Sequence, residues 1–351
     1  MATNSNAGTS SSTSSRATQY DQPTPGEAEL ITKLIPVLKA LIEKEYRDGT
    51  TYRDTHAKGH AAVQATFTVE RDLPPELAVG LFATPRTYPA WVRLSNLNPV
   101  PQEDKKKDVR AFAIKLMGVE GETIYDPAAH NLDFILMSSA AFLAPNLQKF
   151  YDMEVALLKG GFAMIWFFLT HPRMALTILQ GLQKTANLLE IPFYSQTAYA
   201  FGDQIVQYHL QPHQAATSQL PDNPTPNYLR ERLAADLART PAAFDFMVQL
   251  QTDPQKMPVD NPMVVWDPAL SPYRKVATIH IPVQRFDSPP QVEFCESFSV
   301  NAWRTLPPHR PLGDINRARL RVYPEIAQFR HQRNNVVWRE PRPGDPNFAT
   351  S

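Results

Sequence analysis

One cysteine in 351 residues excludes a disulfide framework and any metal site made only of thiolates. With no disulfide to form, a reducing compartment is expected, and the chain is read as cytoplasmic. Neither sign of charge is in excess: 35 Lys+Arg stand against 35 Asp+Glu. A nucleic-acid partner is therefore not expected, because no basic surplus exists to displace counterions from phosphates. Glycine is scarce, 13 residues against 33 prolines, which implies long, irregular but ordered connections. Long hydrophobic runs are missing too. The most apolar stretch, Gly160 to Leu169, has Lys159 before it and Thr170-His171-Pro172 after it. That falls well short of the roughly 18 residues a spanning helix needs, so no transmembrane segment is expected. A buried helix and a surface in peripheral contact with lipid both stay open for it. Motifs for dinucleotides, nucleoside triphosphates, helical zinc sites and serine hydrolases are absent.

What is present suits one large unit. Residues 1–25 are rich in Ser, Thr and Asn, without the apolar core of a secretory signal, and read as a disordered tail. Residues 26–351 read as a single domain, a length ample for a deep core. Leu30, Ile31, Leu34, Ile35, Leu38, Leu41 and Ile42 recur at helical spacing. Strand character follows at Ala62 to Glu70, Ala90 to Ser95, Val109 to Met117 and Asp133 to Ser138. A helical block from about Leu147 to Leu189 is broken at His171-Pro172. Strands return at Gln204 to Leu210, Phe244 to Gln251 and Val276 to Val283, with helices near Tyr228 to Arg239 and Asp314 to Arg330. Seven or eight unevenly spaced strands with interleaved helices predict an α+β fold: a closed antiparallel β-barrel with helices packed outside.

Two histidine pairs have the i, i+4 spacing of metal ligands on a helix, His56/His60 and His209/His213. Gly59 and Pro212 interrupt them and neither has an adjacent Glu base, which argues against zinc. The C-terminal segment says more. Arg319 and Tyr323 are one helical turn apart, and Arg330 lies two turns further along the same face. A tyrosine framed by arginines can have its phenolate stabilised by positive charge, and such an oxygen is a hard anionic ligand for ferric iron. The second arginine suits a carboxylate. Alone, the segment also fits a solvated basic helix.

Four blocks carry a resemblance when taken together: R-x-x-H-A-K-G at Arg53 to Gly59, V-R-x-S at Val92 to Ser95, D-x-R-x-F-A-x-K at Asp108 to Lys115, and R-x-x-x-Y-P followed by Arg330. In this order they resemble the catalase family, and the short chain resembles its small catalase-related hydroperoxidases. The resemblance implies haem b with ferric iron. Tyr323 would be the iron ligand, with Arg319 hydrogen-bonded to its phenolate. It also implies that Arg53, Arg93 and Arg330 bind the haem propionates, that Phe142 belongs to the cofactor pocket, and that His56 is the distal base, oriented by Ser95.

Two departures bear on substrate. The family's distal asparagine falls on Met137, which removes an amide donor and leaves an adaptable apolar wall. Thr55 precedes His56 where catalases usually have valine, and the resembling allene oxide synthases also have threonine there. Both point towards an organic, fatty-acid hydroperoxide, and the expected function is a haem-dependent hydroperoxidase, of peroxidase, peroxygenase or hydroperoxide-rearranging type, acting on such hydroperoxides or using hydrogen peroxide. The other readings are an authentic catalase that tolerates Met137, a non-catalytic haem-binding or sensing protein, and a haem-free barrel for apolar ligands. Family habit implies a homo-oligomer.

Overall fold

A computed structural model describes residues 16–338 and 340–342. In chain order its main elements are α1 (Glu27–Glu45), β1 (Gly59–Val69), β2 (Thr87–Asn96), β3 (Arg110–Met117), β4 (Asn131–Met137), α2 (Leu147–Lys159), α3 (Gly161–Thr170) and α4 (Pro172–Gly181). They continue with β5 (Phe193–Tyr194), β6 (Tyr199–Phe201), β7 (Gln204–Pro212), α5 (Tyr228–Leu237), β8 (Ala242–Leu250), β9 (Arg274–Ile281), α6 (Pro289–Ser297) and α7 (Asp314–Arg333). The antiparallel sheet runs β5-β4-β3-β2-β1-β9-β8-β7-β6. It closes because the two-residue β5 also pairs with β7, giving an eight-strand barrel with β6 as an appended hairpin strand. Closure removes the open edges that an antiparallel sheet would otherwise expose.

Period-two alternation decides what fills the barrel and what faces outward. Phe67, Phe134, Tyr208 and Phe246 meet inside, with Phe246 4.7 Å from Phe134 and 5.1 Å from Phe67 between ring centroids. Every residue of β3 and β4 is buried, so these strands are covered on both faces. Phe112 of β3 packs inward on Phe193 and Phe244. Its neighbours Ala111 and Ala113 line a cavity instead, together with Ile135 and Met137 of β4. Small side chains at 111 and 113 leave that space open.

Helices α1, α2 and α7 form a layer with its own core. Leu34 and Leu38 of α1 pack with Leu147 and Met153 of α2 and with Ile315, Ala318 and Val322 of α7. Ion pairs reinforce the α1–α7 contact, Glu27 to Arg317 at 2.7 Å and Lys39 to Glu325 at 3.0 Å. The buried pair carries more of this than the exposed one, whose charges remain solvated. Space between this layer and the barrel holds the site described below.

Several expectations shift. The ordered chain does not begin at Pro25. Ala17 is fully buried in a cluster with Trp266 and Leu312, and Asp21 accepts two 2.8 Å bonds from Arg310. These partners lie about 250 to 300 positions away, so local polarity could not show them; residues 1–15 lie outside the described residues. The helical block breaks a second time, at Gly160 (φ 65°), and ends at Gly181 rather than Leu189. Helix α6, which the sequence reading does not name, opens with Pro289 and Pro290, residues well tolerated in a helix's first turn.

The charged residues of the D-x-R-x-F-A-x-K block serve the barrel. Lys115 is fully buried and pairs with Asp133 at 2.9 Å and Glu340 at 2.7 Å, while Arg304 pairs with the same two acids. Arg110, also fully buried, donates to Asn96 and Thr185. Such a network is costly to break one member at a time.

Candidate active site

The two histidine pairs do not converge. His60 is buried against Asn96 (2.6 Å), and His213 bonds Asp245 (2.8 Å) while His209 stacks on Tyr273. Among the described residues no cluster of three or more His, Cys, Asp or Glu side chains stands ready for a metal. A site bringing the other candidates together lies between the helical layer and the barrel. A cavity of about 630 Å³ adjoins a smaller one of about 150 Å³, and both are lined by Arg53, Thr55, His56, Met137 and Tyr323. Phe142 and Arg319 line the larger; Arg93, Ser95 and Arg330 line the smaller. The larger volume falls within the usual range of small-molecule sites.

His56 is held on both sides by its backbone. Its N–H donates to Leu97 O at 2.9 Å and its carbonyl accepts from Arg93 Nη2 at 3.1 Å. The residue sits at φ 64°, a left-handed conformation uncommon for a side chain of this size. Ser95 Oγ lies 3.5 Å from Nδ1, which leaves Nε2 for chemistry in the cavity. Burial, followed by the charges of Arg93, Arg53 and Arg319, pushes the imidazole down to about 3. It is neutral at physiological pH and able to accept a proton. Thr55 is exposed and lines both cavities; the contact to the His56 ring comes from Ser95 and not from the Thr55 hydroxyl.

Tyr323 projects from α7, followed by Pro324, which cannot supply a backbone donor to the preceding turn. The expected hydrogen bond from Arg319 to the phenol oxygen is not what the geometry shows. Arg319 Nη1 donates to Asn316 Oδ1 (2.9 Å) and Thr197 Oγ1 (3.3 Å). Its guanidinium lies over the Tyr323 ring, 5.9 Å from the centroid, and over Phe142 at 5.8 Å. Asn316 is one turn back on the same helix and captures the donor first. The positive charge expected beside Tyr323 is there, but it acts through the ring face.

Arg53, Arg93 and Arg330 crowd one end of the smaller cavity. Arg93 donates to the carbonyls of Cys295 and His56, Arg330 to that of Glu296 (2.7 Å), and Arg53 to that of Phe298. Glu296 is 4.0 Å from Arg53 and Asp54 also lines the smaller cavity, yet Arg53 Nη1 is buried with no hydrogen-bond partner. Burial and mutual repulsion hold Arg53 well below the usual arginine range and push Arg330 down to about 10. An orphaned buried N–H among three cations calls for an anion. The donor set fits a dicarboxylate cofactor such as haem, with Arg53, Arg93 and Arg330 for its propionates and the Tyr323 oxygen for its iron.

Gly59 closes the N-terminal block tightly. A Cβ there would lie 2.8 Å from Cys295 Sγ and 3.0 Å from Arg93 Nη2. Gly59→Ala is therefore expected to displace Arg93, weakening haem affinity roughly tenfold and stability by about 1–3 kcal/mol. Haem titration and a denaturation midpoint check this; an unchanged titration would remove Arg93 from the cofactor set.

Two wall residues escaped sequence reasoning. Glu154 of α2 is 6% exposed, and it and Asp54 both line the larger, mostly apolar cavity. Burial raises both carboxyls, pushing Asp54 up to about 7, and the charge of Asp54 raises Glu154 further. A signal was available: Glu154 shares the helical face of Leu147, Phe150 and Leu157, where a charge is out of place.

Comparison with known proteins agrees on the fold. The chain superposes on a fungal catalase with a TM-score of 0.65 at 20% identity, covering 86% of this chain and 67% of that one. A bacterial catalase gives 0.66 at 16% identity, covering 97% and 72%. In sequence it is 31% identical over 218 residues to a catalase-related peroxidase of Mycolicibacterium paratuberculosis (strain ATCC BAA-968 / K-10), across 56% of this chain. The matched region spans 65% of that relative's length. No family model matches the chain.

Proposed function

We propose that the chain, whose fold is like that of catalases, binds haem b and breaks down organic hydroperoxides, fatty-acid hydroperoxides among them. The observation that carries the haem reading is the three-arginine cluster with the orphaned Arg53 Nη1, lining the same cavity as Tyr323 and His56. Held by Tyr323 and the three arginines, ferric haem would supply redox-active iron for O–O cleavage. The chain's own residues do the rest. Tyr323 offers the phenol oxygen, with the Arg319 guanidinium lying over its ring. His56 is placed to take the hydroperoxide proton on Nε2 and to return it to the alkoxy oxygen as the O–O bond breaks. Ser95 keeps the ring turned for both transfers.

Substrate choice follows from the walls. Met137 is buried at the end of β4 and lines both cavities. It cannot donate a hydrogen bond to a small polar peroxide, but with Phe142, Phe150 and Leu157 it offers apolar surface to a tail. Supplying an amide should reverse part of this. In Met137→Asn, the rate with hydrogen peroxide relative to a fatty-acid hydroperoxide is expected to rise about tenfold, the value of one well-placed hydrogen bond. Steady-state rates with the two peroxides, on haem-loaded protein, measure the ratio. An unchanged ratio would remove Met137 as the determinant.

A further inference from the structure

We infer that the α3–α4 hairpin is a docking face for an anionic lipid surface, placed to pass apolar substrate into the larger cavity. The choice of cargo rests on the organic-hydroperoxide reading; the docking itself does not.

The two helices bury Phe167 and Met174 but leave most of their other large apolar side chains in the open. Phe162, Ile165, Trp166, Leu169, Leu176 and Leu179 are all more than half exposed, and Phe162 reaches 76%. Phe162 and Trp166 stack at 6.1 Å, forming one continuous aromatic surface. A soluble chain rarely leaves so large a contiguous apolar patch open without a partner.

Geometry favours lying on a membrane over crossing one. No single helix among the described residues is long and apolar enough to span, and α3 and α4 meet at 98°. Each has ten residues, about 15 Å of helix, half the thickness of a hydrocarbon core. Tryptophan at such a face suits the headgroup boundary.

Charge selects the kind of surface. From Val155 to Leu189 no acidic residue occurs, whereas Lys159, Arg173 and Lys184 are exposed around the hairpin. Basic residues beside an apolar face match anionic lipid headgroups. The same rim argues against a second copy of the chain, since an isologous contact would set these cations against their own images.

The hairpin also forms part of the site. Met164 and Phe168 of α3 and Thr177 and Ile178 of α4 line the 630 Å³ cavity that His56 and Tyr323 share. A hydroperoxide drawn from a bilayer would meet the cavity wall directly behind the docking face.

Cosedimentation of the full chain with phosphatidylcholine vesicles, with and without 30 mol% phosphatidylserine (~30%, a typical anionic load), tests the docking whatever the haem content. Binding is expected to be strong on the mixed vesicles, weaker on the neutral ones, and reduced by salt. Arg173→Glu should weaken it roughly tenfold or more. The triple variant Phe162→Ser, Trp166→Ser, Leu169→Ser should abolish it, with circular dichroism and retained haem unchanged because all three side chains are exposed. Sedimentation velocity runs alongside. Absence of vesicle binding, a triple variant that binds as well as the parent, or a dimer that the triple variant dissolves would each overturn the docking. A parent chain that binds vesicles but takes up no haem would count against the haem reading alone.

Discussion

Tyr323→Phe is expected to give a folded protein that no longer retains haem. The substitution removes one oxygen and keeps the ring that Arg319 covers and that packs beside Ile326 against the α1–α7 core. Its cost to the fold is therefore expected within about 1 kcal/mol, the scale of one lost partly exposed polar contact. The cost to the cofactor is the whole metal–oxygen bond. Gel filtration after loading with haem gives the retained ratio, and the visible spectrum of the parent gives the ligand type. The expected pair of results is stoichiometric haem in the parent and a near-total loss in the variant. A variant that keeps haem with the parent's spectrum would mean that another side chain holds the iron.

The second large effect concerns His56. Removing a positioned general acid–base costs 10²–10⁴-fold in turnover, with haem retained because Tyr323 and the three arginines are untouched. His56→Ala also places alanine at φ 64°, so a fall in its activity would mix chemistry with backbone strain. His56→Asn separates the two: asparagine tolerates this conformation but takes no proton at neutral pH. Both variants should lose turnover to a similar degree. Full activity in His56→Asn would remove the residue from the chemistry. The pH profile adds an independent readout. The imidazole lies near 3 rather than its ordinary 6.5, burial being the main cause. Bound carboxylates would offset part of the arginine contribution, but burial remains. The acid limb of turnover is thus expected well below pH 6.5, because the base stays unprotonated as pH falls through that value.

The parts of the site that were legible in the sequence are those whose members are close along the chain. Arg53, His56 and Gly59 fall within one loop and strand start; Arg319, Tyr323 and Arg330 fall on one helix, where residue spacing translates directly into a shared face. Some strands were legible from alternation, as in β8, and those buried on both faces, β3 and β4, from their apolar and aromatic content. Closure of the barrel was not. It depends on β5, two residues long, meeting Met137 of β4 and Leu210 of β7, and no periodicity exists over two residues. The hydrogen bond assigned to Arg319 failed for a similar reason. Helical spacing brings Tyr323 within reach, but it cannot show that Asn316 and Thr197 are better placed to accept. Asp54 and Glu154 are distant in sequence and meet only through the packing of α2 over the loop before β1. The burial of Ala17 depends on Trp266 and Leu312 in the same way. Tertiary contact, not local chemistry, sets each of these.

The most direct measurement is the rate at which haem-loaded protein consumes a fatty-acid hydroperoxide, set against oxygen evolution from hydrogen peroxide under the same conditions. The wall formed by Met137 and its apolar neighbours, with His56 as the only imidazole lining the cavity among the described residues, predicts faster consumption of the fatty-acid hydroperoxide. Rapid oxygen release from hydrogen peroxide, with the fatty-acid hydroperoxide left intact, would contradict it.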